Sequence, residues 1–191
     1  MREISYENYF WQNDLVRLRG VQENDWELGY VNSFDTPARV LVNYQVELPP
    51  TVKDAQCNNN LWLDFDQSHG RIMFTIETLD GTNVGGINLN SIDERNGTFS
   101  IGIQVDGAQR GKGYGNSAMQ LVMKYAFLER RLNKYYGSVL DSNIASAAML
   151  RKLGCKEEGI RRQMVYSNGK YHDEILFGLT KDEFLQSSSH I

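Results

Sequence analysis

A glycine-rich run between a strand pattern and a helix pattern constrains this chain more than any other feature of its sequence. The run reads AspGlyAlaGlnArgGlyLysGlyTyrGly over residues 106–115. Directly behind it, five apolar residues recur at helical spacing: Met119, Val122, Met123, Ala126 and Phe127. They predict an amphipathic helix. Because backbone N–H groups at a helix N-terminus bind phosphate with help from the dipole, we expect the chemistry of the chain at this junction.

Two common phosphate-binding motifs do not fit the spacing of the run. The Walker A motif needs four residues between its glycines and a Ser or Thr after Gly-Lys. Here Gly107 and Gly111 enclose three residues, and another glycine follows Lys112. The dinucleotide fingerprint needs GxGxxG after a first parallel strand, whereas this run contains GxGxG behind an antiparallel pattern. The spacing therefore excludes both motifs.

The residues before the run predict three antiparallel strands in sequence. Apolar and polar residues alternate over residues 71–79, 84–92 and 99–105. AspGlyThr at 80–82 and AsnGly at 96–97 supply the two turns between them. The glycine-rich run is therefore expected at the end of the third strand of a meander.

The flanking segments complete a mixed pattern of helices and strands. Upstream, residues 15–19 read as a short strand, residues 23–45 as one or two helices broken near Thr36 and Pro37, and residues 51–65 as a helix. Downstream, residues 134–140 read as a strand, Asn143 as the cap of a helix reaching Leu153, and AsnGly at 168–169 as the turn between two last strands. The predicted fold class is α+β, a mixed α/β domain with one central sheet.

Composition bounds the domain count and excludes several function classes. A chain of 191 residues without repeat or linker predicts one domain, residues 1–191, with its core at about residues 14–185. A net charge of -4 offers no basic surface for nucleic acid. No apolar run approaches the roughly 20 residues that span a bilayer, and the first residues lack the apolar segment of a signal peptide. We therefore expect a cytoplasmic protein without membrane contact. Two cysteines and three scattered histidines predict neither a disulfide scaffold nor a metal site.

The run matches the ArgxxGlyxGly form of an acetyl-coenzyme A loop as Arg110, Gly113 and Gly115. Through this match the chain resembles the GCN5-related N-acetyltransferase (GNAT) superfamily. Five further segments occur in the order found in the RimJ/RimL-like branch, which acetylates ribosomal protein N-termini: ValGlyGlyIleAsnLeu at 84–89, SerIleGly at 100–102, AspSerAsnIleAlaSer at 141–146, LysLeuGlyCys at 152–155 and AsnGlyLysTyrHisAsp at 168–173. The resemblance implies a GNAT fold with a mostly antiparallel, splayed sheet flanked by helices.

The resemblance also implies an acetyl-coenzyme A (acetyl-CoA) site. Backbone amides over residues 110–115 would cradle the pyrophosphate, and the backbone of residues 103–105 would pair with the pantetheine arm. The implied cofactor-binding residues are Ile103, Gln104, Val105, Arg110, Gly111, Lys112, Gly113, Tyr114, Gly115, Asn143 and Ser146. Two alternatives stay open. The loop could be a helix-initiating turn without a ligand, and Asn143 could be a helix cap, alone or together with a cofactor role.

The resemblance leaves the proton-transfer groups open. Ser100 stands where that branch carries a glutamate, and Leu150 stands where many members carry a tyrosine acid. We expect Ser100 to line the catalytic site and to hold a water whose proton passes to Glu77, Asp93 or Glu94. Ser100 and Glu94 are the predicted catalytic residues. For Glu77 the alternative is a solvated strand face without function.

Several other residues have both structural and functional interpretations. Asp173 matches a family position, where a structural hydrogen bond to a loop is the favoured interpretation. Cys155 is expected to be a small buried thiol and not a nucleophile. Four aromatic residues could line the acceptor pocket or belong to the core: Trp26, Tyr30, Tyr44 and Trp62.

Two function classes follow from the resemblance. The first is an acetyl-CoA-dependent N-acetyltransferase in which a primary amine attacks the thioester directly, the acceptor being a small amine or a protein N-terminal α-amine. The second is a degenerate member that binds coenzyme A or an acyl form as a sensor or partner. The loop suits both, the missing Glu and Tyr favour the second, and water relays in relatives favour the first. We predict an enzyme without a metal. The oligomeric state stays open, and a homodimer is one possibility because related enzymes are often dimers.

Overall fold

The computed structural model describes residues 4–63 and 70–188, and its elements follow the predicted order, with one helix after the last strand that was not predicted. Within these ranges the strands are β1 Val16–Arg19, β2 Arg71–Thr78, β3 Asn83–Asp93, β4 Thr98–Val105, β5 Lys134–Leu140, β6 Lys156–Ser167 and β7 Lys170–Thr180. The α-helices are α1 Trp26–Asn32, α2 Thr36–Asn43, α3 Val52–Asn60, α4 Tyr114–Lys124, α5 Ile144–Lys152 and α6 Lys181–Ser188. The predicted mixed α/β class is confirmed.

The strands form a seven-stranded sheet in the order β1-β2-β3-β4-β5-β7-β6. Its neighbouring strands are antiparallel except β4 and β5, which run parallel. These two strands pair only at Thr98 with Lys134 and at Phe99 with Tyr135. Beyond Phe99 they separate, which confirms the splayed sheet that the resemblance implied.

A hydrophobic core fills the space between the sheet and α4. Phe99 of β4 lies fully buried with its ring centroid 5.0 Å from that of Phe127. The apolar face predicted for α4 is buried here, and the helix continues as a π-helical turn over Tyr125–Glu129. Trp11 lies outside the predicted core, yet its ring packs 4.7 Å from Phe74 and 4.8 Å from Tyr125. The segment before β1 therefore contributes to the core because it carries this large aromatic side chain.

Helices α1 to α3 lie on the other face of the meander. The break predicted near Thr36 and Pro37 is confirmed, because Asp35 caps α2 by accepting a hydrogen bond from the Ala38 N–H at 3.2 Å. Helix α3 begins with a capping box between Thr51 and Asp54 and ends at Asn60, earlier than predicted. Residues 64 and 65 of that predicted helix lie outside the described residues. None of the helices in the described ranges is long and apolar enough to cross a membrane.

Candidate active site

The glycine-rich run forms a loop that ends in open backbone amides. After β4 the chain makes a 3-10 turn over Gly107–Gln109 and then enters α4. Gly113 is the N-cap of α4, and no side chain in the described part of the chain caps this end. The amides of the first turn of α4 therefore lack helical partners, which is the arrangement of an anion site.

Two glycines of the loop differ in their backbone conformation and surroundings. Gly113 has φ +87°, a left-handed conformation that L side chains rarely adopt, while its nearest neighbour would be Leu15 Cδ1 at 3.4 Å from an added Cβ. At Gly115 an added Cβ would lie 3.4 Å from Met149 Sδ and 3.6 Å from Val105 Cγ2. The first glycine allows the loop to turn, whereas a Cβ at the second would make only ordinary van der Waals contacts with β4 and α5.

The two cations of the loop have different partners. The Arg110 guanidinium donates to Asp35 Oδ2 at 2.8 Å and to the Val105 carbonyl at 3.1 Å. The hydrogen bond from Arg110 lowers the pKa of Asp35, so that this pair is ionised at neutral pH. Lys112 Nζ donates to the neutral side chain of Gln109 at 2.7 Å. Of the two predicted cations, Lys112 is thus the one whose partner leaves its charge uncompensated.

Asn143 is a helix cap, as one of its two interpretations predicted. Its Oδ1 accepts a hydrogen bond from the Ser146 N–H at 3.1 Å, at the start of α5. The contact between Gly115 and Met149 places α5 beside the first turn of α4. A cofactor role for Asn143 and Ser146 stays a prediction.

Ser100 lies where β4 loses its pairing with β5. It directly follows Phe99, the last residue of β4 that pairs with β5, and lies opposite Asn90 of β3. Because side chains alternate along a strand, Ser100, Gly102 and Gln104 share one face. Phe99 belongs to the opposite face, which packs on the core beneath α4.

The expectation that Glu77 lies on a solvated strand face is wrong. Glu77 is 5% exposed, and its carboxylate binds Arg17 at 2.7 Å and Arg19 at 2.6 Å. These arginines project from β1, which pairs with this end of β2, so the sheet edge buries the acid against two cations. Ser100 lies in the row of Asn90 and Arg71, about 20 Å along β2 from Glu77 at ordinary strand rise. Glu77 is therefore a structural ion-pair residue and not close to Ser100.

The other predicted acids lie where β3 ends, Asp93 as its last residue and Glu94 in the turn to β4. Asp93 accepts hydrogen bonds from the Asn96 N–H at 3.0 Å and the Asn96 amide at 2.6 Å. Glu94 is exposed and forms an ion pair with Arg130. Both carboxylates thus stabilise the turn end of β4, the end opposite to the glycine-rich loop. No hydrogen bond among the described residues joins either acid to Ser100.

The remaining singled-out residues have structural contacts. Leu150 is buried in the core at 3% exposure, so the family's tyrosine position carries no polar group. Asp173 accepts a hydrogen bond from the Gln163 N–H at 2.8 Å, which confirms the structural interpretation. Cys155 is buried as predicted, and burial raises the pKa of its thiol to about 12.

A cleft of about 830 Å³ opens between α1 to α3 and the face of the sheet that carries Gln104. Its floor comes from neighbouring strands: Met73, Thr75, Gly86, Asn88, Gly102 and Gln104. Three of the four predicted aromatics line it, namely Trp26, Tyr30 and Trp62. Tyr44 instead meets β5, its hydroxyl lying 3.2 Å from Ser138 Oγ.

Helix α2 connects the two splayed strands, a feature that the sequence analysis missed. Arg39 binds Gln104 of β4 at 2.8 Å, and Tyr44 at the end of α2 binds Ser138 of β5. Ser138 Oγ in turn donates to the buried Glu174 at 2.6 Å. Because these contacts join residues 65 and 94 positions apart, no local pattern could have indicated them.

A family model described as an acetyltransferase (GNAT) domain matches residues 16–156, from the start of β1 through the glycine-rich loop and α5. The chain belongs to the GNAT family. Its match to the GNAT model spans both splayed strands and the loop between β4 and α4. The resemblance drawn from the loop is therefore confirmed.

Similar proteins place this GNAT chain among N-acetyltransferases. It is 28% identical over 176 residues to the SPbeta prophage-derived uncharacterized N-acetyltransferase YokL of Bacillus subtilis (strain 168), covering 92% of this chain and 95% of that protein. It is 33% identical over 105 residues to the "Putative ribosomal N-acetyltransferase YdaF" of the same organism, covering 55% of this chain and 57% of that protein. The spermidine N-acetyltransferase of Vibrio cholerae, solved with CoA and spermine, shares the fold, with a TM-score of 0.78 at 18% identity over 91% of this chain and 99% of that one.

The predicted enzyme class is confirmed by these matches, because the GNAT family model and the named relatives are acetyltransferases. The likeness to YdaF is consistent with the ribosomal-protein branch that the order of the sequence segments indicated.

Proposed function

We propose that this GNAT enzyme transfers the acetyl group of acetyl-CoA to a primary amine by direct attack of the amine on the thioester. One observation carries the proposal: the unpaired edge of β4 leads directly into the open amides at the start of α4. The strand edge suits an amide-containing arm, and the helix N-terminus suits a pyrophosphate. The CoA complex of the Vibrio cholerae neighbour supports this cosubstrate.

The proposed cofactor contacts follow the same track. The backbone of Ile103, Gln104 and Val105 would bind the pantetheine arm, and the loop from Arg110 to Gly115 would bind the pyrophosphate. Because Arg110 is paired with Asp35, Lys112 is the side chain that would supply charge there. Asn143 and Ser146 would meet the arm from the start of α5.

The reaction needs a group that accepts the amine proton and one that protonates the leaving thiolate. The amine nitrogen bonds to the thioester carbon, the C–S bond breaks, and the thiolate takes a proton. We place Ser100 at this centre because it stands where the strands separate. Glu94 stays the proposed relay acid, and its route to Ser100 would run through water along the β3–β4 turn. The separation of about 20 Å between Glu77 and Ser100 along the strands argues against Glu77.

The acceptor would enter the cleft between the sheet and helices α1 to α3. Its volume of about 830 Å³ suits a small amine or the first residues of a peptide. The spermine in the Vibrio cholerae structure supports a small amine, and the name of YdaF supports a protein N-terminal α-amine. Both acceptor classes react through the same neutral nitrogen nucleophile.

Thiol release from acetyl-CoA tests this function. We expect release that depends on an added amine from a panel of polyamines, amino-acid amides and peptides, with the N-acetyl product seen by mass spectrometry. The buried Leu150 favours the competing function, coenzyme A binding without turnover. Calorimetric binding of acetyl-CoA without amine-dependent thiol release would establish that competitor and contradict the proposal.

We also propose one acetyltransferase domain over the whole chain, cytoplasmic and homodimeric. One sheet and one hydrophobic cluster that includes residues from β1 to β7 support a single domain. The sheet edge at β6 supports self-association, because Ile160 and Met164 are 59% and 58% exposed there. Sedimentation equilibrium would show a monomer if the dimer proposal is wrong.

A further inference from the structure

The side chain of Gln104 carries a hydrogen-bond donor that nothing among the described residues satisfies. Its Nε2 is buried and has no partner there. Gln104 lies in the floor of the acceptor cleft, two residues beyond Gly102 on the same strand face. A buried donor without a partner costs about 1–3 kcal/mol, so a ligand oxygen at this point would be strongly favoured.

The orientation of this amide is fixed by its neighbour. Arg39 Nη1 donates to Gln104 Oε1 at 2.8 Å, and because a guanidinium has only donors, the amide must present its oxygen to it. Arg39 is itself held by Glu47 through two hydrogen bonds, from Nε at 2.6 Å and from Nη2 at 2.9 Å. The hydrogen bond from Arg39 lowers the pKa of Glu47, which keeps the pair ionised at neutral pH. Nε2 therefore has to point away from Arg39.

Two of the three described acids that line the cleft are paired with arginines. Asp25 accepts hydrogen bonds from Arg19 at 2.8 and 2.9 Å, from Thr75 at 2.7 Å and from Asn83 at 2.8 Å. Glu47 is paired with Arg39, whereas the described partners of Asp54 are the neutral Thr51 hydroxyl and N–H, so that Asp54 keeps its negative charge. A polyamine needs anionic partners for its second ammonium group, and two of the three carboxylates described in this cleft are already neutralised by arginines. The unpaired Gln104 Nε2 donor would instead bind an oxygen atom of the acceptor.

We propose that Gln104 is a specificity-determining residue that selects acceptors carrying a carbonyl oxygen beside the reacting amine. The acceptor class is then an α-amino carbonyl compound, such as an amino-acid amide or a peptide N-terminus. An amine without that oxygen leaves Nε2 unpaired and is discriminated against. This inference rests on the proposed acetyl transfer. The selection of the acceptor is then made by Gln104, whose amide is oriented by Arg39.

Two amines with the same carbon skeleton around nitrogen test the inference, namely L-alaninamide and isopropylamine. The readout is the ratio of their kcat/KM values in the thiol-release assay, compared between variant and parent so that their different basicities cancel. Gln104→Leu should lower the ratio about tenfold, the effect of one lost hydrogen bond of about 1.4 kcal/mol. Gln104→Glu should lower it at least as far, because it keeps an acceptor for Arg39 and replaces the donor with a negative oxygen. Gln56→Leu, on the exposed side of α3, is the matched control and should leave the ratio unchanged.

The outcomes separate this inference from the proposed function. A ratio within about threefold of the parent in both Gln104 variants, with folding verified by thermal melting, would overturn the selection. A weaker Kd for acetyl-CoA with an unchanged ratio would also overturn it, by assigning Nε2 to the cofactor. A parent that releases no thiol with alaninamide, isopropylamine or spermidine would contradict the acetyl transfer itself.

Discussion

Ser100 places a hydroxyl at the position where the resemblance to the RimJ/RimL-like branch implies a glutamate. It stands beside the last β4–β5 pair, where the strands separate. If it holds a relay water, Ser100→Ala should lower the rate at saturating amine about tenfold, because a water relay contributes less than a positioned carboxylate. The Kd for acetyl-CoA should stay level, which calorimetry checks.

The reverse change tests the same position from the other side. Ser100→Glu restores the carboxylate and should raise turnover of α-amines. If neither variant alters the turnover of an amine that the parent acetylates, Ser100 only packs, and the proton acceptor must be sought elsewhere.

Glu77 is a residue whose burial could not be predicted from its own stretch of sequence. Its alternation with Ile76 suggested a solvated face, but both faces of β2 are covered here and Arg17 and Arg19 neutralise the acid. The signal lay in β1, where two arginines alternate with Val16 and Leu18. Using it required the β1–β2 register, which depends on tertiary packing. The unpaired donor of Gln104 was hidden for the same reason, since Arg39 lies 65 residues away.

Helix α5 allows the capping and cofactor roles of Asn143 to be separated. Asn143→Asp keeps an oxygen for the Ser146 N–H but loses the amide donor, whereas Asn143→Ala loses both. We expect Asn143→Ala to lower the free energy of unfolding by about 1 kcal/mol and Asn143→Asp to leave it nearly unchanged. Both variants should weaken acetyl-CoA binding if the amide contacts the pantetheine arm.

Denaturant unfolding and calorimetry on the same two proteins decide between the roles. An Asn143→Asp protein that binds acetyl-CoA as the parent does would leave capping as the function of this side chain.

Elements with strong local signals were predicted closely, and elements set by distant contacts were not. The AsnGly turn at 96–97 and the glycine-rich junction predict the bounds of β3 and β4 and the start of α4 to within about two residues. The predicted strand over 134–140 matches β5. The separation of β4 from β5 could come only from the family resemblance, because no local pattern in either strand indicates where their pairing ends. The contacts that α2 makes with the two splayed strands could not be predicted from the sequence of α2, because their partners lie 65 and 94 positions away.

At the scale of the whole molecule, acetyl-CoA and the amine would have to reach the same catalytic centre from two directions. Acetyl-CoA would enter along the unpaired edge of β4 from the α4 side, and the amine would enter the cleft beneath α1 to α3. Arg110 and Asp35 tie the cofactor loop to α2, whose Arg39 orients Gln104 in the acceptor cleft. The same helix and its N-cap therefore contact both proposed binding regions.

Calorimetric titration of acetyl-CoA into Gly113→Glu tests the central claim most directly. The substitution puts bulk and negative charge where the pyrophosphate would bind, and Gly169→Glu is the control, because Gly169 has a similar positive φ of +78° in the β6–β7 turn. We predict that Gly113→Glu abolishes binding while its fold stays intact by circular dichroism, and that Gly169→Glu binds as the parent does. An affinity of Gly113→Glu within about threefold of the parent, about 0.6 kcal/mol, would contradict the assignment of this loop as the phosphate site.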